Sequence, residues 1–390
     1  MINGIICEFN PFHNGHEYLL SKAKENGGKN ICVMSGNFVQ RGEAAIYEKR
    51  RRAEMALKNG ADVVISLPVG WSMSGAENFA YGGVSLLKST GIVDNLVFGC
   101  ENNNEALLNE AAQVIFSNNF ADEIGKYLSL GDTYAVAREK AINTLYPHLK
   151  EFISEPNNIL GVQYLVAAKQ LNFSVGFTPI ARIGTKHDSD NFSGIFSSAS
   201  NIRKLIRSKD TEKIKNYLPE NVYNMVKGLP CSDLSTIENA ILFKLRNLSL
   251  DNIRKLPDIS EGIENRIFDA IKTATSLDEL YSFIKTKRYT MARIRRIIMS
   301  AAFSVDNSFI KREPPYIHIL GYKKESESLV SQIAQKTTKP VLLSSKDYIK
   351  LDDFGKKVFE TECITTDLYG MSFNPPFPCS KEYTEPIVKI

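Results

Sequence analysis

The chain has 390 residues, 43% of them hydrophobic, enough to build a sizeable core and to fill two or three domains. Its longest apolar stretches, such as "DVVISLPVGW", fall well short of the roughly 20 residues a membrane span needs, which excludes a bilayer-spanning chain. A formal net charge of +4 does not by itself indicate a nucleic-acid partner, so the distribution of charge matters more than its sum.

The start, "MINGIICEF", lacks the basic residues, long apolar centre and cleavage site of a secretory signal, so it is read as structure and a cytoplasmic protein is expected. Up to about residue 100, short apolar runs alternate with helical patterns: "NGIICEF", a helix from Gly15, "NICVMSG", a helix from about Tyr47, "ADVVISLP", a helix from about Ala76, and "DNLVFG". Strand–helix–strand rhythm predicts right-handed crossovers and a parallel sheet covered on both faces. Residues 104–150 read as helices, "SEPNNILGVQYLVAAK" as a turn and a helix from near Asn158, and "FSVGFTPIAR" as a further strand completing the sheet. A helix is expected at "SSASNIRKLI", capped by Ser198 or Ser200. From 206 to about 305 the pattern is helical, and the last 75 residues return to strand, helix and strand in "PYIHILGY", "ESLVSQIAQKT" and "KPVLLSS".

These patterns predict an α/β protein with a Rossmann-like parallel-sheet domain over 1–205, a mainly helical region over 206–310 and a small mixed segment over 311–390. Six cysteines (Cys7, Cys32, Cys100, Cys231, Cys363 and Cys379) are scattered with no CxxC pair, which argues against a zinc site or a disulfide framework. Cys7, Cys32 and Cys100 lie in or beside strands and are expected as buried thiols.

In a doubly wound sheet, ligands bind beyond the carboxyl ends of the strands, so the turn after the first strand, "NPFHNGH", is the first place to look. Pro11 fixes the chain before the turn, Gly15 admits a ligand to the main chain, and the following helix offers free N–H groups to an anion. His13 and His16, three apart, point to one side if the turn is already helical. Two imidazoles aimed at one spot can donate hydrogen bonds to a phosphate whose charge grows as its phosphorus is attacked. The simpler reading is that they cap a helix or fill the core.

"HNGH" resembles the HxGH signature of the nucleotidyltransferase superfamily, shared with class I aminoacyl-tRNA synthetases. In order, "EFNPFHNGH", "VMSGNFVQRGEAAI", "FGCEN", "PNNILGVQY", "ARIG" followed by "HDSD", "SSASNIRK" and "KTKRYT" resemble the bacterial tRNA(Met) cytidine acetate ligase family. The resemblance implies an ATP-dependent enzyme that forms acetyl-adenylate and pyrophosphate from acetate. It then passes the acetyl group to the exocyclic amine of the wobble cytidine of elongator tRNA(Met). ATP and magnesium assistance are implied, with no protein metal ligands, no membrane and no DNA partner.

Carried over from that family, the ATP contacts fall on Cys7, Glu8, Phe9, Asn10, Pro11, Phe12, His13, Asn14, Gly15, His16, Glu17, Tyr18, Leu19 and Leu20, and on Gly99, Asn157, Arg182 and Ile183. Ser198, Ser200 and Arg203 resemble its second phosphate-binding motif, where Asn201 replaces a more usual Thr. His13, His16, Arg182 and Arg203 are the expected catalytic set, with His187 and Asp188 near the acetyl-transfer site. Asn37, Gln40, Arg41 and Gly42, after the second strand, are expected to order over substrate. "EKRRR" (48–52) reads as an exposed helix face or part of an RNA surface. Lys285, Lys287, Arg288, Arg293, Arg295 and Arg296, interleaved with Tyr289, are expected to meet a phosphate backbone. Two rivals remain at this point: a metabolite adenylyltransferase making a stable dinucleotide, and a nucleotide-dependent RNA-binding protein without turnover.

Overall fold

The computed structural model describes all residues except 26, 133 and 184–193, and leaves the side chains of 135 and 211 undescribed. His187 and Asp188 lie outside the described residues. Five parallel strands form the centre: β1 (Ile2–Cys7), β2 (Lys29–Ser35), β3 (Val63–Leu67), β4 (Asn95–Cys100) and β5 (Gly176–Ala181), in the order β5-β4-β1-β2-β3. Each of β1 to β4 is a continuous apolar run because helices cover both faces.

Helix α1 (Asn14–Lys24) joins β1 to β2 and α2 (Lys49–Lys58) joins β2 to β3. The chain then crosses back through α3 (Ala76–Ser89), and α4 (Pro156–Gln170) leads from β4 to β5. Running β1 to β2 in one direction and β4 to β5 in the other, right-handed crossovers put α1 and α4 on opposite faces. Two buried clusters record this. Ile5, Cys7, Cys32 and Met34 pack with Phe12 and Leu20 on the α1 face, while Val33, Ile65 and Phe98 pack with Phe79, Val84 and Tyr164 on the α3–α4 face. The order of strands reverses at β1, so a crevice opens between the carboxyl ends of β1 and β4, where such sheets bind ligands.

Residues 311–390 have the expected strand–helix–strand pattern but do not stand apart. Strand β6 (Ile317–Tyr322) pairs antiparallel with β3, β7 (Val341–Leu342) and β8 (Val388–Lys389) pair with β6, and the sheet becomes eight-stranded. Thus β5 ends the sheet on one side only. Cys7, Cys32, Cys100 and Cys363 are buried free thiols. No described helix is long and apolar enough to cross a membrane.

Candidate functional site

At the end of β1 the chain turns over two fully buried rings, Phe9 and Phe12, before entering α1. Those rings flank His16, with centroids 4.9 and 5.6 Å away, and so fix its plane. His13, in extended backbone, caps α1: the Gly15 N–H donates to His13 Nδ1 at 3.1 Å, and the His13 N–H donates to His16 Nδ1 at 3.3 Å. The imidazoles stack with centroids 3.7 Å apart and planes 24° off parallel. A side chain at residue 15 would put its Cβ 3.0 Å from His13 Cε1, so glycine lets that ring fold back.

The capping role expected of these histidines therefore leaves both rings on the crevice lining. With both Nδ1 atoms accepting from main-chain N–H groups, the neutral rings carry their protons on Nε2, the atoms left for a ligand. Burial, then the charges of Arg182 and Arg203, lower the His13 pKa to about 3. Burial, then His13 and Arg182, hold His16 well below its ordinary value. Both rings are neutral donors at neutral pH.

The other walls bring positive charge. Ser198 caps α5 (Ala199–Arg207), its Oγ accepting from the Asn201 N–H at 3.1 Å. One turn in, Arg203 donates to the Asn10 carbonyl at 2.9 Å and to Ser200 Oγ at 3.3 Å. Exposed Arg182 follows β5, and a Cβ on Gly99 would make only ordinary contacts, with its Cγ at 3.5 Å and the Ile180 carbonyl at 4.0 Å. Packing therefore does not require that glycine, and the space before it belongs to the crevice. The neighbouring asparagines divide their work. Buried Asn158 accepts from the Glu101 and Asn102 N–H groups at 3.0 and 3.1 Å, holding the exit from β4, while Asn157 faces the crevice.

One crevice thus gathers Cys7, Glu8, Phe9, His13, Gly15, His16, Tyr18, Leu19, Gly99, Asn157, Arg182, Ile183, Ser198, Ser200 and Arg203. Gln40 and Arg41, from the loop after β2, join them. Within the span 7–20, Phe12 and Leu20 lie in the core and Glu17 faces outward. Asn10 instead accepts from the Ile46 N–H at 2.8 Å, Asn14 donates to the carbonyls of Ile195 and Asn216, and Pro11 is buried. Asn37 also turns away, donating to Thr366 Oγ1 at 3.1 Å. Sequence reasoning missed Phe79, Phe98, Leu160 and Tyr164 on the crevice wall. Each sits in an ordinary apolar run, and nothing local distinguishes such a residue from core.

Among the described residues no three His, Cys, Asp or Glu side chains are grouped to hold a metal ion. Glu8, the one carboxylate among the described lining residues, accepts from the Gln40 N–H at 2.8 Å, and burial raises its pKa despite Arg203, Arg52 and Arg41. The residues present do not fit a protein-held magnesium ion.

Two basic segments differ from expectation. In "EKRRR", Lys49 and Arg52 are fully buried and Arg50 nearly so, which overturns the solvated-face and RNA-surface readings for these three, while Arg51 is exposed and paired with Glu54 at 2.8 Å. The C-terminal residues Glu362, Glu382 and Glu385 supply the counter-charges: Lys49 Nζ lies 2.5 Å from Glu382 and 3.6 Å from Glu362, and Arg50 lies 3.4 Å from Glu385. Arg52 donates to the carbonyls of Glu8, Tyr47, Ser35 and Gly36, pinning the ends of β1 and β2.

Over 285–296, Lys285, Lys287 and Arg288 are exposed, but three arginines of α6 (Met291–Phe303) are ion-paired. Arg293 holds Glu261 at 3.0 Å, Arg296 holds Asp258 at 2.6 Å, and Arg295 pairs with Glu43. Local acids therefore neutralise much of the charge that the sequence displays here.

A sheet reversing at β1, with paired imidazoles on the first helix and arginines opposite, is the architecture of a nucleotide-binding transferase. The model of the HIGH nucleotidyl transferase family matches residues 1–384. Curated proteins named tRNA(Met) cytidine acetate ligase are similar along the whole chain. That from Acetivibrio thermocellus is 36% identical over 99% of both chains, and that from Halothermothrix orenii 33% over 99% of both. Two crystal structures of Thermotoga maritima TmcAL superpose over 100% of this chain and 99% of theirs. The apo form has 30% identity and a TM-score of 0.93, and the form bound with alpha-thio ATP 29% and 0.91. The chain belongs to the HIGH nucleotidyl transferases and, among them, to the tRNA(Met) cytidine acetate ligase family.

Proposed function

We propose that this protein uses ATP to activate acetate as acetyl-adenylate and transfers the acetyl group to N4 of the wobble cytidine of elongator tRNA(Met). A carboxylate oxygen attacks the α-phosphorus, the bond from that phosphorus to the bridging oxygen breaks, and pyrophosphate leaves with the electron pair. The cytidine amine then attacks the carbonyl carbon of the mixed anhydride, AMP departs, and the amine loses one proton. The anhydride is needed because carboxylate is a poor acyl donor and the ring-delocalised amine a weak nucleophile.

The observation that carries this reading is the stacked pair His13 and His16, both neutral with Nε2 protons free, in one crevice with Arg182 and Arg203. These imidazoles donate to the α-phosphate as its charge grows. Arg41, Arg182 and Arg203, with the hydroxyls of Ser198 and Ser200, receive the pyrophosphate side. Catalysis is then positioning plus charge stabilisation, with no covalent enzyme intermediate. Exposed Lys285, Lys287 and Arg288 are the residues of the basic stretch most open to an RNA backbone. Full-length likeness to named ligases favours this reading over a metabolite adenylyltransferase or a turnover-free RNA-binding protein.

The test is label transfer from acetate to acid-precipitable tRNA in the presence of ATP. Wild type should label one cytidine, and His16→Ala should be slower by roughly 100–1,000-fold, the worth of one preorganised donor. Unlabelled tRNA with the wild type, or near-normal turnover in the variant, would sink the reading or the role of His16 respectively.

A further inference from the structure

The crevice has a second wall that phosphate chemistry does not use. It belongs to the α3–α4 face of the sheet, opposite α1, and is formed by Ile6, Phe79, Phe98, Leu160 and Tyr164. Its rings are nearly covered, with Phe79 at 2%, Phe98 at 4% and Tyr164 at 4% exposure. Two glycines set its depth. A Cβ on Gly161 of α4 would lie 2.5 Å from the Phe98 ring, and one on Gly83 of α3 would lie 2.7 Å from Ile6. Both apolar side chains are thereby seated farther back than any larger residue would allow. Phe98 meets Tyr164 edge-on, at 5.6 Å between centroids.

Tyr164 lines the crevice together with Cys7 and Glu8 from the end of β1. A phenol on a crevice wall can donate to an oxygen of a ligand bound there. We propose that this wall is the subsite for the acid: a two-carbon carboxylate seats its methyl against Phe98, Phe79 and Ile6 and accepts a hydrogen bond from the Tyr164 hydroxyl. This rests on the acetate reading above. Rings covered to this degree leave little surface for a stacked base and suit a small methyl group. The oxygen held by Tyr164 becomes the carbonyl oxygen of the anhydride, and the other attacks phosphorus. Tyr164 keeps its proton throughout, so it orients the acid without acting as an acid or a base.

Acid-dependent ATP–pyrophosphate exchange, measured with acetate, propionate and butyrate in the presence of tRNA, tests the assignment on the full-length chain. Wild type should prefer acetate to propionate by at least about tenfold, as expected for one methylene in a fitted apolar pocket. Phe98→Ala should bring that ratio close to one. Gly161→Ala, which pushes the Phe98 ring into the subsite, should raise KM for acetate severalfold with KM for ATP unchanged. Tyr164→Phe removes a single oxygen, keeps the ring packing if the cavity variant fails to fold, and should lower kcat/KM for acetate about tenfold or more. Unchanged acid ratios in Phe98→Ala, or unchanged acetate kinetics in Tyr164→Phe, overturn the subsite while leaving the acetate reading intact. Absence of any acid-dependent exchange in wild type overturns both.

Discussion

A histidine whose Nδ1 accepts from the main chain has only Nε2 left for chemistry, and in this protein that applies to two rings at once. Their tautomers are set by α1's own end groups before any nucleotide arrives, which removes a reorganisation step from the reaction. With the His13 pKa lowered to about 3 by burial and by Arg182 and Arg203, the apo rings should show no titration near 6.5. Nitrogen-15 NMR of the apo protein should find both rings as neutral Nε2–H tautomers from pH 8 to 5. A ring charging near pH 6.5 would contradict the capping geometry. The same shift gives a sign for stability. The unfolded chain takes up a proton at His13 near 6.5 and the folded one only near 3. This contribution is present above pH 6.5 and is lost as pH falls through that window. Both histidines and Gly15 were legible in the sequence because their spacing is local. The tautomers were not, because they depend on which ring nitrogen meets which N–H.

The element that links the crevice to the helical region is the loop between β2 and α2. Its tip is a tight turn, with Gly42 N–H donating to the Val39 carbonyl at 2.9 Å and Val39 N–H to the Glu43 carbonyl at 3.0 Å. Gly42 is required twice over: its φ is +71°, and a Cβ would stand 2.5 Å from the Arg296 main-chain nitrogen. Glu43 lies between Arg203, at 3.6 Å, and Arg295, so one carboxylate joins the proposed pyrophosphate arginine to α6. It is partly exposed, and such pairs contribute only about 0–1 kcal/mol to stability. Glu43→Gln should therefore scarcely move the unfolding midpoint, yet lower kcat/KM for ATP by roughly 10–100-fold through misplacement of Arg203 and Arg41. Stopped-flow and equilibrium unfolding on the same variant decide the matter: a stability loss with unchanged kinetics would make the pair merely structural. The motif "NFVQRGEAAI" marked the loop, but only the fold shows that Gln40 and Arg41 enter the crevice while Asn37 turns to Thr366.

For the whole molecule, the far C-terminal residues complete what the first 100 begin. Strand β6 closes the β3 edge, and Glu362 and Glu382 descend on Lys49 in a buried site. Burial disfavours charge on Glu382, but Lys49 and Arg50 outweigh it and hold its pKa at about 2. Burial likewise opposes charge on Lys49, whose pKa Glu382 and Glu362 nonetheless raise. Removing one partner leaves a buried charge uncompensated, so Glu382→Ala should cost about 3–5 kcal/mol in urea unfolding. A loss below about 1 kcal/mol would mean that water reaches the cluster. The sequence by itself determined the parallel sheet, its crossovers, the HNGH turn at the end of β1 and the capped start of α5. Each follows from apolar periodicity and capping within a few residues. Only the tertiary structure decided that Lys49, Arg50 and Arg52 of "EKRRR" are buried, that α6's arginines are paired, that residues 311–390 extend the central sheet and that an aromatic wall lines the crevice. Those outcomes depend on groups as far apart as Lys49 and Glu382, and no local pattern encodes which distant charge or strand will arrive.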